Sequence, residues 1–435
     1  MTLKLGIRRE DKNKWEQRTP ITPDYVKKLL NTYGIQSIIQ PSQIRAFSDN
    51  DYEQVKGTVS EDLSDCPVIF AVKEIPKELF EQEKAYVFFS HVIKGQAYNM
   101  PMLKEMMSKH CTLIDYEKIV DEQNRRLIFF GKYAGIAGMV DTLYTLGQRL
   151  SHESLKSNIF SSIKRTHEYD DLKSLKEEMK TIGNEIQTNG IPEKIAPLIV
   201  GFAGYGNVSK GAQEILDLFP VKEIRPDEIK SVIRHPSRSL VYKVVFKEGD
   251  LVQPKEQGHP FDLQEYYHHP ERYQTIFHRY APYLSILMNC VYWDERYPRL
   301  ISKTQVKEWG NDTSFRLQVI GDISIDINGG IEITEKATTP DHPSYVYDPK
   351  QDTIFDDLSR KGIAIMAVDN LPCELPKESS HEFSAALYPF INDIVKADFS
   401  QSFEQIELPK EIRQAVIIHK GCFTPSFEYM TKYVE

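Results

Sequence analysis

The chain has 435 residues, 54 of them Lys or Arg and 63 Asp or Glu, which gives a formal net charge of −9. Hydrophobic residues make up 40% and charged residues 27%, the composition of a globular protein long enough for two domains; because basic residues are not in excess, we expect no nucleic-acid partner. The apolar runs are far shorter than the roughly 20 residues of a membrane helix, and no apolar leader follows Met1, so we expect a cytoplasmic protein. The five cysteines are dispersed and lack CxxC spacing, so we expect neither a disulfide framework nor a metal site.

The first part of the chain alternates short apolar runs with a helical pattern, which is typical of an α/β layered fold. Thr22 and Pro23 mark the start of a helix, and Gly34 marks its end. Apolar runs that stop at a polar residue are expected to be buried parallel strands. The predicted strands of this part lie at 3–7, 35–39, 68–72 and 85–89.

The middle of the chain predicts a second α/β domain. Small residues at 134–138 lead into a helical pattern over 139–150, where we expect close packing against a neighbouring helix. The polar stretch 151–190 is interpreted as a bridge into the second domain. The remaining predicted elements are strands at 198–201, 286–291 and 317–320 and helices at 211–219 and around 383–395.

These elements predict an α/β protein with two Rossmann-like domains, each built on a parallel sheet, and a cleft between them. We expect a catalytic domain at 1–140, to which residues 373–435 return. The dinucleotide-binding domain is expected at 141–372.

A glycine-rich turn follows the strand predicted at 198–201 and contains the GxG pair Gly204 and Gly206. Gly204 permits a tight turn and Gly206 lets the backbone approach a diphosphate, while the next helix offers unpaired N–H groups to the anion. Ser209 stands where a third glycine or alanine is usual. The order of strand, turn and helix nevertheless predicts a dinucleotide site.

The acidic residue that would bind a ribose hydroxyl, about 20 residues further on, is not evident. Glu223 is near that spacing, but Lys222 and Arg225 flank it and would suit a 2′-phosphate. The residues alone therefore leave NAD and NADP open.

Lys73 and His91 follow two of the predicted strands, at the edge where parallel sheets bind ligands. An amine and an imidazole there could serve as an acid–base pair, although a surface lysine and a core histidine are the commoner explanation. Arg8, Arg9 and Arg18 follow the first strand and could bind substrate carboxylates.

Several strings of the chain resemble the saccharopine dehydrogenase and lysine-ketoglutarate reductase family, which is related more remotely to alanine dehydrogenase. The resemblance covers residues 3–395 in the same order, apart from a poorly matching stretch at 151–194. The strings include GIRREDKNKWEQRTPITP at 6, AVKEIP at 71, FFSHVIKGQ at 88, FGKYAGIAGMVDTL at 130, FAGYGNVSKGAQEIL at 202 and GDISIDINGGIE at 321.

The resemblance implies a two-domain α/β enzyme that condenses L-lysine with 2-oxoglutarate and reduces the imine to saccharopine with a nicotinamide cofactor. NADP(H) is the favoured cofactor and NAD(H) the alternative. The implied partners are these small molecules, and a homo-oligomer is compatible with the sequence.

The resemblance also assigns roles to individual residues and favours Lys73 and His91 as a functional pair. It matches Lys73 to the family's proposed base and His91 to its proposed acid. The implied substrate-binding residues are Arg18, Gln96, Asn289 and Tyr292, and the implied cofactor-binding residues are Arg125, Phe130, Tyr205, Gly206, Asp322 and Ser324, beside Gly204.

Two other functions stay open at this stage. One is an NAD-dependent saccharopine dehydrogenase that works in the lysine-forming direction. The other is a nucleotide-binding sensor that has kept the fold without turnover.

Overall fold

The computed structural model describes residues 3–152, 158–310, 312 and 314–434 of the chain. It consists of two compact units: unit 1 contains Met1–Phe130 and Pro376–Glu435, and unit 2 contains Gly131–Leu375. Each unit is an α/β domain with its own eight-stranded, mostly parallel sheet, as the sequence predicts. Within the described ranges, no helix combines the length and the apolar character that crossing a membrane requires.

The first part of unit 1 alternates strands and helices. Its elements are β1 (Lys4–Ile7), α1 (Pro23–Tyr33), β2 (Gln36–Ile39), α2 (Asp49–Glu53), β3 (Thr58–Val59), β4 (Val68–Phe70), β5 (Ala85–Phe88), α3 (Met100–Ser108) and β6 (Thr112–Asp115). In α1, Thr22 is the extended N-cap and Pro23 takes the first position, where a helix has no use for an N–H. Gly34 ends α1 with a left-handed φ of 69°, so both predicted boundaries are confirmed.

Unit 2 repeats this alternation. Its helices are α4 (Gly131–His152), α5 (Leu172–Asn189), α6 (Asn207–Leu216), α7 (Ile229–Arg234), α8 (Glu248–Leu251), α9 (Leu263–His268) and α10 (Lys303–Trp309). Its strands are β7 (Leu198–Ala203), β8 (Val221–Glu223), β9 (Val241–Phe246), β10 (Val252–Pro254), β11 (Tyr273–Thr275), β12 (Ile286–Asn289), β13 (Val319–Asp322), β14 (Ser344–Asp348), β15 (Thr353–Phe355) and β16 (Ile363–Met366).

Two glycines let α4 and α6 pack backbone against backbone. A Cβ atom on Gly135 would lie 1.9 Å from the carbonyl oxygen of Val208, and one on Gly211 would lie 2.0 Å from that of Lys132. The close packing predicted for the small residues at 134–138 is therefore confirmed.

Helix α5 shows that the prediction of a bridge at 151–190 is wrong. Its apolar stripe is buried in the core of unit 2, so this stretch belongs to that unit; residues 153–157 lie outside the described part of the chain. The stripe consists of Leu175, Met179, Ile182 and Ile186.

The last part of the chain belongs to unit 1. It forms α11 (Pro376–Lys396), α12 (Lys410–Arg413), β17 (Val416–His419), β18 (Cys422–Phe423) and α13 (Thr431–Val434). Strand β17 pairs antiparallel with β6 and extends the first sheet. The chain passes between the units at 130–131 and 375–376, where the sequence suggested 140 and 372; the earlier first crossing follows from α4, which belongs to unit 2 over its whole length.

The strand order places the predicted functional residues at one edge of each sheet. The order is β18-β17-β6-β5-β4-β1-β2-β3 in unit 1 and β15-β14-β16-β13-β12-β7-β9-β8 in unit 2. In the first sheet, the strands that run parallel to β1 are β2, β3, β4, β5 and β6. In the second sheet, the parallel part consists of β16, β13, β12, β7, β9 and β8, in this spatial order. Because parallel strands end at the same edge, the segments after β1, β4 and β5 lie side by side, as do those after β9, β7, β12 and β13.

Candidate active site

Lys73 lies beyond the carboxyl end of β4, where the backbone N–H groups of Val72 and Lys73 donate to the carboxylate of Glu10 at 2.7 and 2.9 Å. The side chain is half-buried, and its ammonium has no hydrogen bond or ion pair with a residue that the structure describes. Burial lowers the pKa of Lys73, and the positive charges of Arg18 and Lys12 lower it further. A lysine of lowered pKa is a neutral amine more often, and it can then accept a proton.

His91 follows β5, the strand next to β4, and its ring is held by Glu74. The Nδ1 atom of His91 lies 2.6 Å from Oε1 of Glu74, and Oε2 of Glu74 lies 3.3 Å from the ammonium of Lys12. Burial opposes the charge of Glu74, but the hydrogen bond and charge of His91 together with Lys12 hold its pKa well below the ordinary value. Glu74 is therefore a permanent carboxylate that fixes Nδ1, which leaves Nε2 as the ring atom for proton exchange.

The backbone of His91 adds to this picture because its φ is +48°, in the left-handed region. A residue other than glycine keeps such a conformation at a cost of about 1–3 kcal/mol, which the surrounding structure has to offset. The ring also stacks on Phe89, with centroids 6.2 Å apart and planes at 12°. Lys73 and His91 thus lie on neighbouring strand ends, connected through Glu74.

Arg18 is almost fully buried and already paired. Its Nε and Nη2 atoms donate to the two carboxylate oxygens of Glu16 at 2.7 and 2.6 Å, and its guanidinium lies 4.2 Å from the centroid of the Phe130 ring. The Phe130 ring in turn stacks on Phe383 of α11 at 4.6 Å. The structure therefore places Phe130 as a support of Arg18 within unit 1.

The other cations predicted in unit 1 are paired as well. Arg8 donates to Asp11 and Arg9 pairs with Glu61 at 2.7 Å, so neither is a bare carboxylate-binding group. Arg125 is 74% exposed and pairs with Asp121 at 2.7 Å.

Gln96 is half-buried after β5. Its Oε1 atom accepts the backbone N–H of Lys94 at 3.0 Å, in the loop that contains His91. This bond fixes the carbonyl end of the amide and leaves the NH₂ end as the group that can donate to a ligand.

The glycine turn of unit 2 has the geometry of an anion site. Gly204 has a φ of 92°, and a Cβ atom there would lie 2.9 Å from the Val291 side chain, so glycine is required. Gly206 is the N-cap of α6, no side chain caps this helix, and nothing lies within 4 Å of a Cβ built on Gly206, so the backbone at this helix N-terminus is open to the approach of an anion. Ser209 is buried and small enough for the third position.

Glu248 stands at the sheet position where a dinucleotide fold is expected to carry a ribose-binding acid. Strand β9 is the neighbour of β7 and runs parallel to it, and Glu248 stands just beyond its end. Its carboxylate accepts hydrogen bonds from the hydroxyls of Tyr205 at 3.2 Å and Tyr267 at 2.7 Å. Gly204, Gly206 and these three side chains line a cavity of about 300 Å³.

Glu223, which lies near the expected spacing in the sequence, lies elsewhere in the sheet. It ends the outer strand β8, where it lies 3.3 Å from the ammonium of Lys243. Strand β8 and helix α7 are inserted between β7 and β9, and this insertion moves the acid far along the chain.

Asn289 and Asp322 end two neighbouring strands and bind each other. The amide of Asn289 donates to Asp322 at 2.9 Å, and the hydroxyl of Thr334 donates to the other oxygen at 2.5 Å. Oδ1 of Asn289 is buried and has no hydrogen-bond partner among the residues described. A buried acceptor without a partner suits the carboxamide N–H of a nicotinamide, so the residues present fit such a cofactor.

Two other predicted residues lie close by in unit 2. Ser324 donates to the carbonyl of Val291, in the segment that also lies against Gly204. Tyr292 is 67% exposed, with its hydroxyl 3.3 Å from Asp294.

Sequence reasoning missed Glu74 and Glu248. Glu74 could have been suspected from the sequence, because it follows Lys73 directly and so lies at the same strand end. Glu248 had none, since only the sheet order shows which strand lies beside β7.

Comparison with known proteins agrees with this architecture. The family described as "Alanine dehydrogenase/PNT, N-terminal domain" matches residues 6–137, and "Alanine dehydrogenase/PNT, C-terminal domain" matches residues 291–426. An L-alanine dehydrogenase structure is similar with a TM-score of 0.64 and 16% identity, and each chain is covered completely.

Two relatives are similar over most of this chain. The alpha-aminoadipic semialdehyde synthase of Arabidopsis thaliana is 38% identical over 98% of this chain and 41% of its own length. The saccharopine dehydrogenase [NAD(+), L-lysine-forming] of Yarrowia lipolytica is 25% identical over 91% of this chain and 93% of its own. The chain spans less than half the length of the synthases that it matches. It belongs to the lysine-ketoglutarate reductase and saccharopine dehydrogenase family, within the alanine dehydrogenase-like superfamily.

Proposed function

We propose that the chain is a lysine-ketoglutarate reductase, which condenses L-lysine with 2-oxoglutarate and reduces the product to saccharopine. The observation that carries this proposal is the group Lys73, Glu74 and His91, in which an amine of lowered pKa stands beside an imidazole fixed by a carboxylate. Formation of an imine needs such a pair, because protons must leave the attacking nitrogen and reach the departing oxygen.

The proton steps can be assigned to atoms. When the ε-amine of the substrate attacks the keto carbon, the neutral Lys73 amine accepts one proton from the nitrogen and passes it to the oxyanion, which gives a neutral carbinolamine. His91 then donates from Nε2 to the hydroxyl that departs as water. A nicotinamide cofactor, when bound, would supply the hydride that reduces the imine carbon.

Burial and neighbouring cations tune this group for its task. Lys12 and Arg18 lower the pKa of Lys73, whereas Glu16 and Glu74 act in the opposite direction. Glu10 is also buried, which, with the negative charge of Glu16, raises its pKa to about 7. Glu10 accepts the backbone N–H groups of Val72 and Lys73, so it fixes the backbone from which the Lys73 side chain extends.

A second candidate is an NAD-dependent saccharopine dehydrogenase that forms lysine, and Glu248 favours it. A carboxylate at this position hydrogen-bonds a ribose 2′-hydroxyl and repels a 2′-phosphate. The resemblance to the reductases favours NADP(H), so the two candidates differ in the cofactor they require.

One spectrophotometric experiment tests both candidates. The full chain is mixed with L-lysine and 2-oxoglutarate and either NADPH or NADH, and the nicotinamide absorbance is followed; the reverse reaction is run with saccharopine and each oxidised cofactor. We expect lysine-dependent oxidation of NADPH if the chain is the reductase, and faster reaction with NAD(H) in both directions if the second candidate holds. Cofactor binding without any turnover would instead identify a nucleotide-binding sensor.

A further inference from the structure

A cationic cavity lies in unit 2 at the amino ends of β7, β12 and β13. It has a volume of about 560 Å³, and of its eleven lining residues four are Lys or Arg and none is acidic. The four cations are Lys194, Lys230, Arg234 and Arg316. In a chain with a net charge of −9, such a one-sided lining is unexpected for a surface hollow without a function.

Arg316 is the anchored member of this set. Its Nη2 atom donates to the carbonyl oxygens of Ile195 at 3.1 Å and Pro197 at 3.0 Å, just before β7. Its Nε atom is buried and has no hydrogen-bond partner among the residues described. Two carbonyl dipoles do not neutralise a guanidinium, and a partly buried cation without a counter-ion costs free energy that a bound anion would recover.

The other cations extend the same field. Lys230 and Arg234 lie four residues apart on α7 and therefore on one face of the helix. Neither forms an ion pair with any residue in the described ranges, although exposed cations of this protein are commonly paired. Arg234 is held by its own helix, since its Nε donates to the carbonyl of Lys230 at 3.3 Å.

The remaining lining is suited to a small polar molecule. Ser285 and Gln318 stand directly before β12 and β13, and Tyr283 adds a ring over which the ammonium of Lys230 lies at 5.1 Å. The cavity is separated from the glycine turn by the length of β7, whose six residues span about 20 Å. It is therefore a different place from the dinucleotide site at the carboxyl ends of the same strands.

We propose that this cavity binds a small anion with two or more negative charges, of the phosphate or carboxylate class. The anion is held by the guanidinium of Arg316 at the base and by Lys230 and Arg234 at the rim. The site lies at the amino ends of β7 and β12, whose carboxyl ends carry Gly204 and Asn289, so its occupant binds away from the dinucleotide site.

The test is a calorimetric titration of the full chain with inorganic pyrophosphate and, separately, with citrate, in the presence of saturating nicotinamide cofactor. We expect saturable binding at one site that weakens as salt rises, and the tighter of the two probes shows whether phosphate or carboxylate is preferred. Arg316→Gln should weaken binding about tenfold or more, and Arg234→Gln about threefold, because charge-assisted hydrogen bonds are stronger at the buried position.

Three further variants make the result decisive. Arg316→Lys keeps the charge but not the forked donor and should bind with intermediate affinity. Lys230→Gln lies on exposed helix surface and tests the site even if Arg316→Gln does not fold. Arg360→Gln removes an exposed charge outside the cavity and should leave binding unchanged. The proposal would be overturned if the wild-type chain showed no saturable binding. It would also be overturned if Arg234→Gln and Lys230→Gln bound the anion as strongly as the wild type.

Discussion

A buried pair of carboxyl groups in unit 2 predicts an unusual dependence of stability on pH. Oδ1 of Asp141, on α4, accepts hydrogen bonds from the backbone N–H and the hydroxyl of Thr166. Oε2 of Glu374 lies 3.3 Å from Nδ1 of His167. The remaining oxygens, Oδ2 of Asp141 and Oε1 of Glu374, are buried without a hydrogen-bond partner among the described residues, and burial together with the neighbouring charge of Glu374 raises the pKa of Asp141 well above its ordinary value. Two buried carboxyl groups that act on each other oppose ionisation of both, so the pair holds a proton.

The sign and size of the effect follow from Glu374. Burial raises its pKa from 4.5 to about 7, although the hydrogen bond from Asp141 and the charge of Arg165 act in the opposite direction. Between pH 4.5 and about 7, Glu374 is therefore protonated in the folded state and ionised in the unfolded state. Its contribution to the free energy of unfolding is fully present below pH 4.5 and is lost as the pH rises through 7. At about 1.4 kcal/mol per pH unit, the loss is about 3 kcal/mol.

The assay compares the wild-type chain with Glu374→Gln, which keeps the shape but does not titrate. Asp141 and the other charged groups nearby, His167, Arg165, Glu168 and Asp341, are present in both proteins, so the comparison reports what Glu374 adds, including its effect on the pKa of Asp141. We expect scanning calorimetry at pH 5 and pH 8 to show that Glu374→Gln gains on the wild type as the pH rises, by about 6–10 °C in Tm.

A matched control is Glu271→Gln, an exposed carboxylate of the same unit, which should follow the wild type at both pH values. Parallel pH dependence of the wild type and Glu374→Gln would refute the reasoning, because the pair would then not hold a proton.

Three further predictions concern the proposed reaction, the cofactor and packing. Lys73→Met should lower turnover by about 10²-fold or more while cofactor affinity, measured by fluorescence titration, stays unchanged; Lys77→Met is the control, and equal losses of both would contradict a proton-accepting role. Glu248→Gln should raise the affinity for NADPH relative to NADH by about tenfold in the same titration, because the charge that repels a 2′-phosphate is gone; an unchanged ratio would show that Glu248 does not face the ribose. Gly135→Ala should lower Tm by about 3–10 °C, because its Cβ would lie 1.9 Å from a backbone oxygen of α6. Gly249→Ala is the control and should change Tm little, because its Cβ would have its nearest contact at 3.4 Å. Similar effects of the two substitutions on Tm would argue against a close contact of α4 with α6.

The sequence predicts local structure well where a single segment contains the cause. The cap, first proline and terminal glycine of α1 lie within 13 residues of each other, and the glycine turn stands between its own strand and helix. The small residues of α4 likewise announce close packing, although the partner helix becomes known only from the structure.

The site residues that were missed depend on contacts between distant segments. Glu248 is identified by the neighbour of β7 in the sheet, which an inserted strand and helix conceal from any count along the chain. Phe130 was predicted as a cofactor-binding residue, but no local pattern shows that its ring lies between Arg18 and Phe383, because these three residues come from three separate segments. The bridge predicted at 151–190 fails for a related reason: the polar face of α5 dominates its composition, and its buried stripe is visible only at helical spacing.

The pairing of β17 with β6 has a consequence for biosynthesis. Until the ribosome has made β17, the edge of β6 that β17 covers has no partner strand, although Leu113 and Ile114 of β6 are buried in the folded unit. Unit 2 is continuous in the chain and can fold as soon as it emerges, whereas the nascent first segment must wait for the far end. We therefore expect the two segments of unit 1 to be the part of the chain that needs chaperones and tolerates truncation least. A stop codon shortly before Val416 should yield insoluble protein, even though the glycine turn of unit 2 has then been translated completely.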